Sequence, residues 1–227
     1  MYATTASYSR TRKMTVLAAL TAVSYVLWVV GRVPVVAFLR YDPKDVVIVF
    51  AGFLFGPMAS FAISFVVSFL QMVTLSETGP IGFLMNVIST VAFACTAAYI
   101  YQKNQTIKGA VIGLSAGVIL STASMLLWNY IVTPFFMGVP REAVVAMLLP
   151  IILPFNLIKG GLNATLALLL YKPLIKALRA SRMIPERAES DDTGEAAAQK
   201  WGLGVFLAAG LILVSCVMVI LVFQGII

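Results

Sequence analysis

The chain has no histidine among its 227 residues. That absence removes the usual proton shuttle and the commonest metal ligand. It also excludes a Ser–His hydrolase and an HExxH metalloprotease. Cysteine is almost absent. Cys95 and Cys216 both lie in apolar stretches, which argues against a disulfide framework or a thiolate metal site. No G-x-x-x-x-G-K-[ST] loop occurs, so ATP is not hydrolysed by that route. Charge is scarce as well, 11% of residues where a soluble domain carries about 25%. The acidic residues are Asp42, Asp45, Glu77, Glu142 and five within 186–195. None falls mid-helix, where an ion-coupled carrier holds a carboxylate relay. No inverted repeat of the kind common in secondary transporters is evident. These absences leave neither an enzyme's constellation nor an engine for uphill transport.

What is abundant is apolar length. The chain is 61% hydrophobic with a mean hydropathy of +0.99, the composition of a protein dissolved in lipid. About 20 apolar residues cross about 30 Å of hydrocarbon as a helix. On that measure the spans fall near 14–30, 57–75, 79–101, 107–131 and 144–178, with a short one near 45–55. A seventh, 202–223, follows the polar stretch "SRMIPERAESDDTGEAAAQK". The alternation of a β-barrel is missing. Arg10, Arg12 and Lys13 imitate the basic start of a signal peptide, but the run continues through Trp28 without a small-x-small exit, so it reads as a retained helix. The expected fold is an all-α integral membrane protein: a six-helix domain over 1–180, an acidic linker over 181–200 and an extra transmembrane helix within 201–227.

With the N-terminus inside, eleven basic residues collect in the inner segments and four, Arg32, Arg40, Lys44 and Arg141, in the outer ones. The positive-inside rule therefore puts the N-terminus in the cytoplasm. Topology thus accounts for the net charge of +7, and no nucleic-acid partner is needed.

Lys159 belongs to neither side. It heads an apolar run, "LPFNLIKGGLNATLALLLY", where an ammonium costs about 2.5–3.5 kcal/mol at a helix centre. Asn156 lies three residues before it and Asn163 four after, so the three share a helical face. Two further polar clusters belong to the same outer depth, "FLRYDPKD" at 38–45 and "WNYIVTPFFMG" at 128–138. Singly, such groups snorkel to the interface or join helices by hydrogen bonds. Three at one depth, interleaved with Trp128, Tyr130, Phe135, Phe136 and Phe155, suit a pocket for a planar, uncharged, hydrogen-bonding ligand. Asparagine amides pair with an imide edge because each offers a donor and an acceptor. On helix one, Ala18 and Ala22 in "AALTA" are four apart, the spacing that lets another helix approach closely.

"FLRYDPKD", "NYIVTPFFMG" and "PFNLIKGGLN", in that order, resemble the riboflavin-specific substrate-binding subunits (S components) of energy-coupling factor (ECF) transporters, the RibU family, over roughly residues 10–180. The resemblance implies a six-helix fold with the vitamin held near the outer surface as a transported ligand, with no cofactor and no metal. It implies that Asn129, Asn156 and Lys159 contact riboflavin, that Tyr41 and Asp42 sit in a covering loop, and that Tyr130 borders the site. It implies that Ala18 and Ala22 dock a shared transmembrane coupling subunit, two cytoplasmic ATPases completing the complex in a prokaryotic plasma membrane. The seventh span and its linker depart from that pattern. Two alternatives stand beside it. One is an S component for another vitamin or for FMN, whose phosphate Arg40, Lys44 or Arg141 could hold. The other is a stand-alone facilitator.

Overall fold

The computed structural model describes residues 10–36, 39–75 and 78–180, and beyond them 204, 207, 208, 210–218, 220 and 221. The expected linker at 181–200 lies outside the described residues. Of the expected seventh span the described residues are helical, and the rest also lies outside them.

The elements run α1 (Arg10–Gly31), β1 (Val33–Val36), β2 (Leu39–Tyr41), α2 (Lys44–Phe55), α3 (Pro57–Thr74), α4 (Gly79–Thr90), α5 (Thr96–Lys103), α6 (Ile107–Met137), α7 (Arg141–Met147) and α8 (Leu153–Ala180). π-helical turns at Val91–Cys95 and Leu148–Ile152 join α4 to α5 and α7 to α8. The second contains Pro150, whose missing N–H and bulky ring cannot continue a regular α-turn. Among the described residues, five runs are long and apolar enough to cross a membrane: Arg10–Gly31, Pro57–Thr74, Gly79–Lys103, Ile107–Met137 and Arg141–Tyr171. Four match the expected spans within a few residues. The α6 run is longer than expected: it passes Pro134 and stops at Gly138, which takes φ 64° and returns its N–H to the Pro134 carbonyl.

The short span is real but different in kind. With 12 residues, α2 is about 18 Å long, too short to cross lipid. It need not, because all its residues from Lys44 to Phe53 are buried. Val49, Phe50, Ala51 and Phe53 form the main core with Ile63 and Val67 of α3, Ala97 and Ala98 of α5 and Leu114 of α6. The other helices wall α2 off from lipid, which explains why their outer faces carry exposed Phe61, Phe65, Phe69, Ile119 and Leu127.

Small residues set how closely these helices approach. A Cβ at Gly113 would lie 2.7 Å from the Ala97 carbonyl oxygen, and one at Gly117 2.5 Å from that of Phe93. The obstacle is backbone around the first π-turn and cannot swing aside. Gly113→Leu is therefore expected to destabilise the bundle by about 1–3 kcal/mol or more, read as a lower unfolding midpoint in detergent. Leu at the neighbouring Ile112, which is 58% exposed, should leave the midpoint unchanged.

Between α1 and α2 the chain makes a small antiparallel hairpin, pairing Val33 with Tyr41 and Pro34 with Arg40. It is the one departure from an all-helical fold among the described residues. Val35 and Leu39 bury themselves against Ile152 of the second π-turn and Phe155 at the start of α8, so the hairpin lies across one end of the bundle as a roof.

Candidate functional site

Under the hairpin lies a cavity of about 350 Å³. Leu39, Arg40 and Asp42 roof it, and Trp28 of α1 and Arg32 just beyond that helix close it. Met125, Trp128, Asn129, Thr133 and Phe136 of α6 and Phe155, Asn156 and Lys159 of α8 form one wall. Ser68, Gln71 and Met72 of α3 with Phe83, Asn86 and Ser89 of α4 form another. Of the residues singled out from sequence, Asp42, Asn129, Asn156 and Lys159 therefore meet at one cavity.

Each is held before any ligand arrives. The Asn129 amide donates to the Met125 carbonyl one turn back (2.7 Å) and accepts from the Thr133 hydroxyl (2.8 Å). Asn156 donates to the Ile152 carbonyl (2.8 Å), which leaves its Oδ1 without a hydrogen bond among the described residues. Both amides are thus fixed in rotamer by their own helices. Each retains capacity, since an amide offers two N–H donors and two acceptor lone pairs.

Lys159 has counter-ions. Its Nζ lies 3.6 Å from Asp42 Oδ2 and 4.0 Å from Asp45 Oδ2. Lys44, fully buried, lies 3.5 Å from the other oxygen of Asp42. Asp45 accepts from Thr90 (2.8 Å) and from the Asn163 amide (3.5 Å), while Asn163 accepts from the Tyr41 hydroxyl (3.0 Å). Two carboxylates and two ammoniums thus share one buried cluster. Each compensates another for the cost of leaving water. Burial alone would raise the Asp42 carboxyl, but Lys159 and Lys44 outweigh it and hold the group below the usual carboxylate range. Tyr41 is pushed well above its ordinary value, first by burial and then by the nearby Asp42 and Asp45 carboxylates, so its hydroxyl stays protonated and able to donate.

Tyr41 lies in the hairpin that covers the cavity, but it is not among the lining residues and ties the hairpin to α8 through Asn163. One expectation from sequence lands elsewhere. Tyr130 is 39% exposed and lies under the Arg141 guanidinium, 5.1 Å from ring centroid to Cζ. One residue on from Asn129 turns the helix by about 100°, which carries Tyr130 off the cavity face. Lys44, counted as an outer-loop cation, is wholly interior. The α3–α4 wall, with Ser68, Gln71 and Asn86, was missed altogether. Ala18 and Ala22 are both exposed, on the α1 face opposite buried Val16 and Ser24.

A family model described as the ECF transporter, substrate-specific component, matches residues 12–171. The riboflavin transporter RibU of Streptococcus thermophilus is 29% identical over 178 residues, spanning 73% of this chain and 84% of its own length. RibU of Staphylococcus aureus is 28% identical, over 74% of this chain and 93% of its own. The riboflavin transporter FmnP of Bacillus subtilis is 26% identical, over 77% and 99%. A solved S component of a bacterial ECF transporter superposes with a TM-score of 0.64 at 28% identity, covering 75% of this chain and 99% of that one.

Proposed function

Because the chain belongs to the family of ECF transporter substrate-specific components, we propose that it captures riboflavin in the hairpin-roofed cavity and delivers it across the membrane. One observation carries the substrate. The cavity sets two fixed amides and an ammonium among flat aromatic side chains, in a chain similar to proteins named riboflavin transporters. Riboflavin's ring system ends in an imide, an N–H between two carbonyls. Asn129 and Asn156 have the donors and acceptors that edge requires, and Lys159 can donate to a ring carbonyl or nitrogen. Trp128, Phe136 and Phe155 supply the apolar surface for the ring.

FMN ranks second. Of the cations considered for its phosphate, Lys44 is buried against Asp42 and Arg141 lies over Tyr130. Of those three, Arg40 alone lines the cavity.

In this reading the hairpin end faces outside, the N-terminus is cytoplasmic, and the membrane is a prokaryotic plasma membrane. The distribution of basic residues supports that orientation. Energy comes from an ECF coupling subunit, docked on the Ala18–Ala22 face of α1, and from two ATPases. Residues 1–180 act as the binding unit, 181–200 as a tether, and 201–227 as an added membrane anchor. Cys216 beside Gly161 and Ile220 against the Val35–Phe155 cluster support an anchor that lies along α8.

The visible absorption of the chain purified in mild detergent, with no ligand added, tests the substrate. A yellow sample whose bound flavin has the mass of riboflavin supports the reading. A colourless sample that fails to quench added riboflavin fluorescence removes it. Asn129→Ala should weaken riboflavin binding by about 1–3 kcal/mol, the cost of leaving a buried partner unpaired, which is roughly 5- to 150-fold in Kd. A stand-alone facilitator instead requires riboflavin flux into liposomes holding this chain alone, and none is expected.

A further inference from the structure

The added C-terminal helix turns one narrow face to the rest of the molecule. Among its described residues Gly210, Leu213, Cys216 and Ile220 are half-buried, while Leu211, Val214 and Met218 are exposed. Steps of three and four residues put the first group on one side of a helix. Two contacts place that side. Cys216 Sγ lies 3.7 Å from where a Cβ on Gly161 of α8 would stand. One turn further on, Ile220 packs against the cluster of Val35, Leu39, Ile152 and Phe155. As this helix runs forward its contacts move back toward the start of α8, so the two are antiparallel.

What Ile220 touches is the attachment of the roof. Val35 and Leu39 are the apolar side chains by which the hairpin sits on the bundle. Its polar attachments are the Tyr41–Asn163 hydrogen bond and the Asp42–Lys159 ion pair. Two strands of four and three residues have almost no stability of their own, so these attachments decide where the hairpin lies. A ligand that enters or leaves beneath it has to displace it. Between helices in lipid there is no hydrophobic gain, and close packing holds them together. Gly161, with no side chain, admits that close approach. The covalent tether keeps the helix at hand, which makes the contact intramolecular.

We infer that the C-terminal helix is a brace on the roof: through Ile220 it holds the hairpin closed and slows both entry and release of the ligand. The inference rests on the riboflavin reading above for its ligand, and on the contacts with α8 and the hairpin for its place. The family match ends at residue 171, so the brace lies outside the part of the chain that match covers. None of its described residues lines the cavity, so it acts on the roof and not on the ligand. A brace that favours the closed roof equally with and without ligand changes both rates by one factor and leaves their ratio, the Kd, where it was.

Two measurements on the full chain in detergent test it. Gly161→Cys probes the seat: oxidised with copper phenanthroline, the introduced thiol should join the native Cys216 in a disulfide within one chain, since the two positions fall within bonding reach. The loss of two alkylatable thiols at unchanged chain length reads the bond, and Gly161→Cys combined with Cys216→Ser should not form it. Stopped-flow quenching of riboflavin fluorescence probes the brace. Ile220→Ala, which removes part of the apolar contact, should raise the association and dissociation rate constants together by about threefold or more, with Kd within about twofold of wild type. Leu211→Ala, on the opposite face and 71% exposed, should leave both rates unchanged. Failure of the disulfide to form overturns the seat. Unchanged rates in Ile220→Ala, a change in dissociation alone, or equal acceleration in Leu211→Ala overturns the brace while the riboflavin reading stands. Wild type that binds no riboflavin overturns that reading, and the brace with it.

Discussion

Lys159→Met should weaken riboflavin binding at least tenfold and also lower the thermal unfolding midpoint, while Lys159→Met combined with Asp42→Asn should recover the midpoint and not the binding. The reason is the double duty of one ammonium. Lys159 faces the cavity with a 13% exposed side chain, yet its Nζ also serves Asp42 and Asp45. Removing it leaves two buried carboxylates with Lys44 as their remaining cation, and breaking a buried pair from one side costs about 3–5 kcal/mol. Neutralising Asp42 as well restores equal charge, one carboxylate and one ammonium, and an asparagine there can still accept from Lys44. Binding does not return, because the donor to the flavin ring is still missing. A hydrogen bond to a charged group is worth about 1.5–3 kcal/mol, which alone weakens Kd roughly 10- to 150-fold. The double-mutant comparison isolates the pairing from the ligand contact. Thermal unfolding in detergent reads the first quantity and fluorescence quenching the second. If the double variant binds riboflavin like wild type, Lys159 is only a counter-ion and its role in recognition is wrong.

That double duty marks the limit of what the sequence disclosed. Lys159 was conspicuous because an ammonium in an apolar run needs a reason, and the helical spacing of Asn156, Lys159 and Asn163 pointed to one face. Asp42 and Asn129 stood out because their motifs fell at the same depth. What pairs with Lys159 was not visible. Its partners lie more than a hundred residues away in the chain, and so do the two ends of the Tyr41–Asn163 hydrogen bond. Lys44 was counted among the outer-loop cations, and Asp45 was set at the start of the short span. In the structure they start a helix buried from Lys44 to Phe53, and mutual neutralisation makes the burial of the charges tolerable. Gln71, Ser68 and Asn86 left no signal at all. A neutral polar residue in a membrane helix is common, and nothing in a single apolar run says which way it faces. Only the folding of α3 against α4 places them on the cavity wall. The helical spans themselves were legible to within a few residues, because hydrocarbon thickness imposes a length. The short α2 and the hairpin were less so. They answer to packing within the bundle, and a strand of four residues against one of three carries almost no periodicity.

Substitution of Ala22 by Trp should leave riboflavin affinity unchanged within about twofold and reduce riboflavin uptake by cells at least tenfold, with Ala18→Trp behaving alike. The argument starts from the exposure of α1. Its buried residues are Val16, Ser24 and Trp28, and Trp28 alone of them reaches the cavity. Ala18 and Ala22 face the other way, on a surface that continues through exposed Val26 and Val29. In lipid an exposed alanine gains nothing over leucine by itself, because the surrounding hydrocarbon is as apolar as either. Its smallness matters only when another backbone must come close. A bulky ring there meets lipid in the isolated chain and should not disturb the cavity, since neither alanine lines it. Against a docked coupling helix the same ring holds the two backbones apart and removes the contacts through which ATP-driven motion reaches the binding unit. Ala22→Gly, which keeps the surface small, should preserve uptake. Binding titrations on the purified variants, beside uptake by cells carrying them, separate the two effects. Uptake that survives both tryptophans would remove α1 as the docking face and leave the binding site untouched.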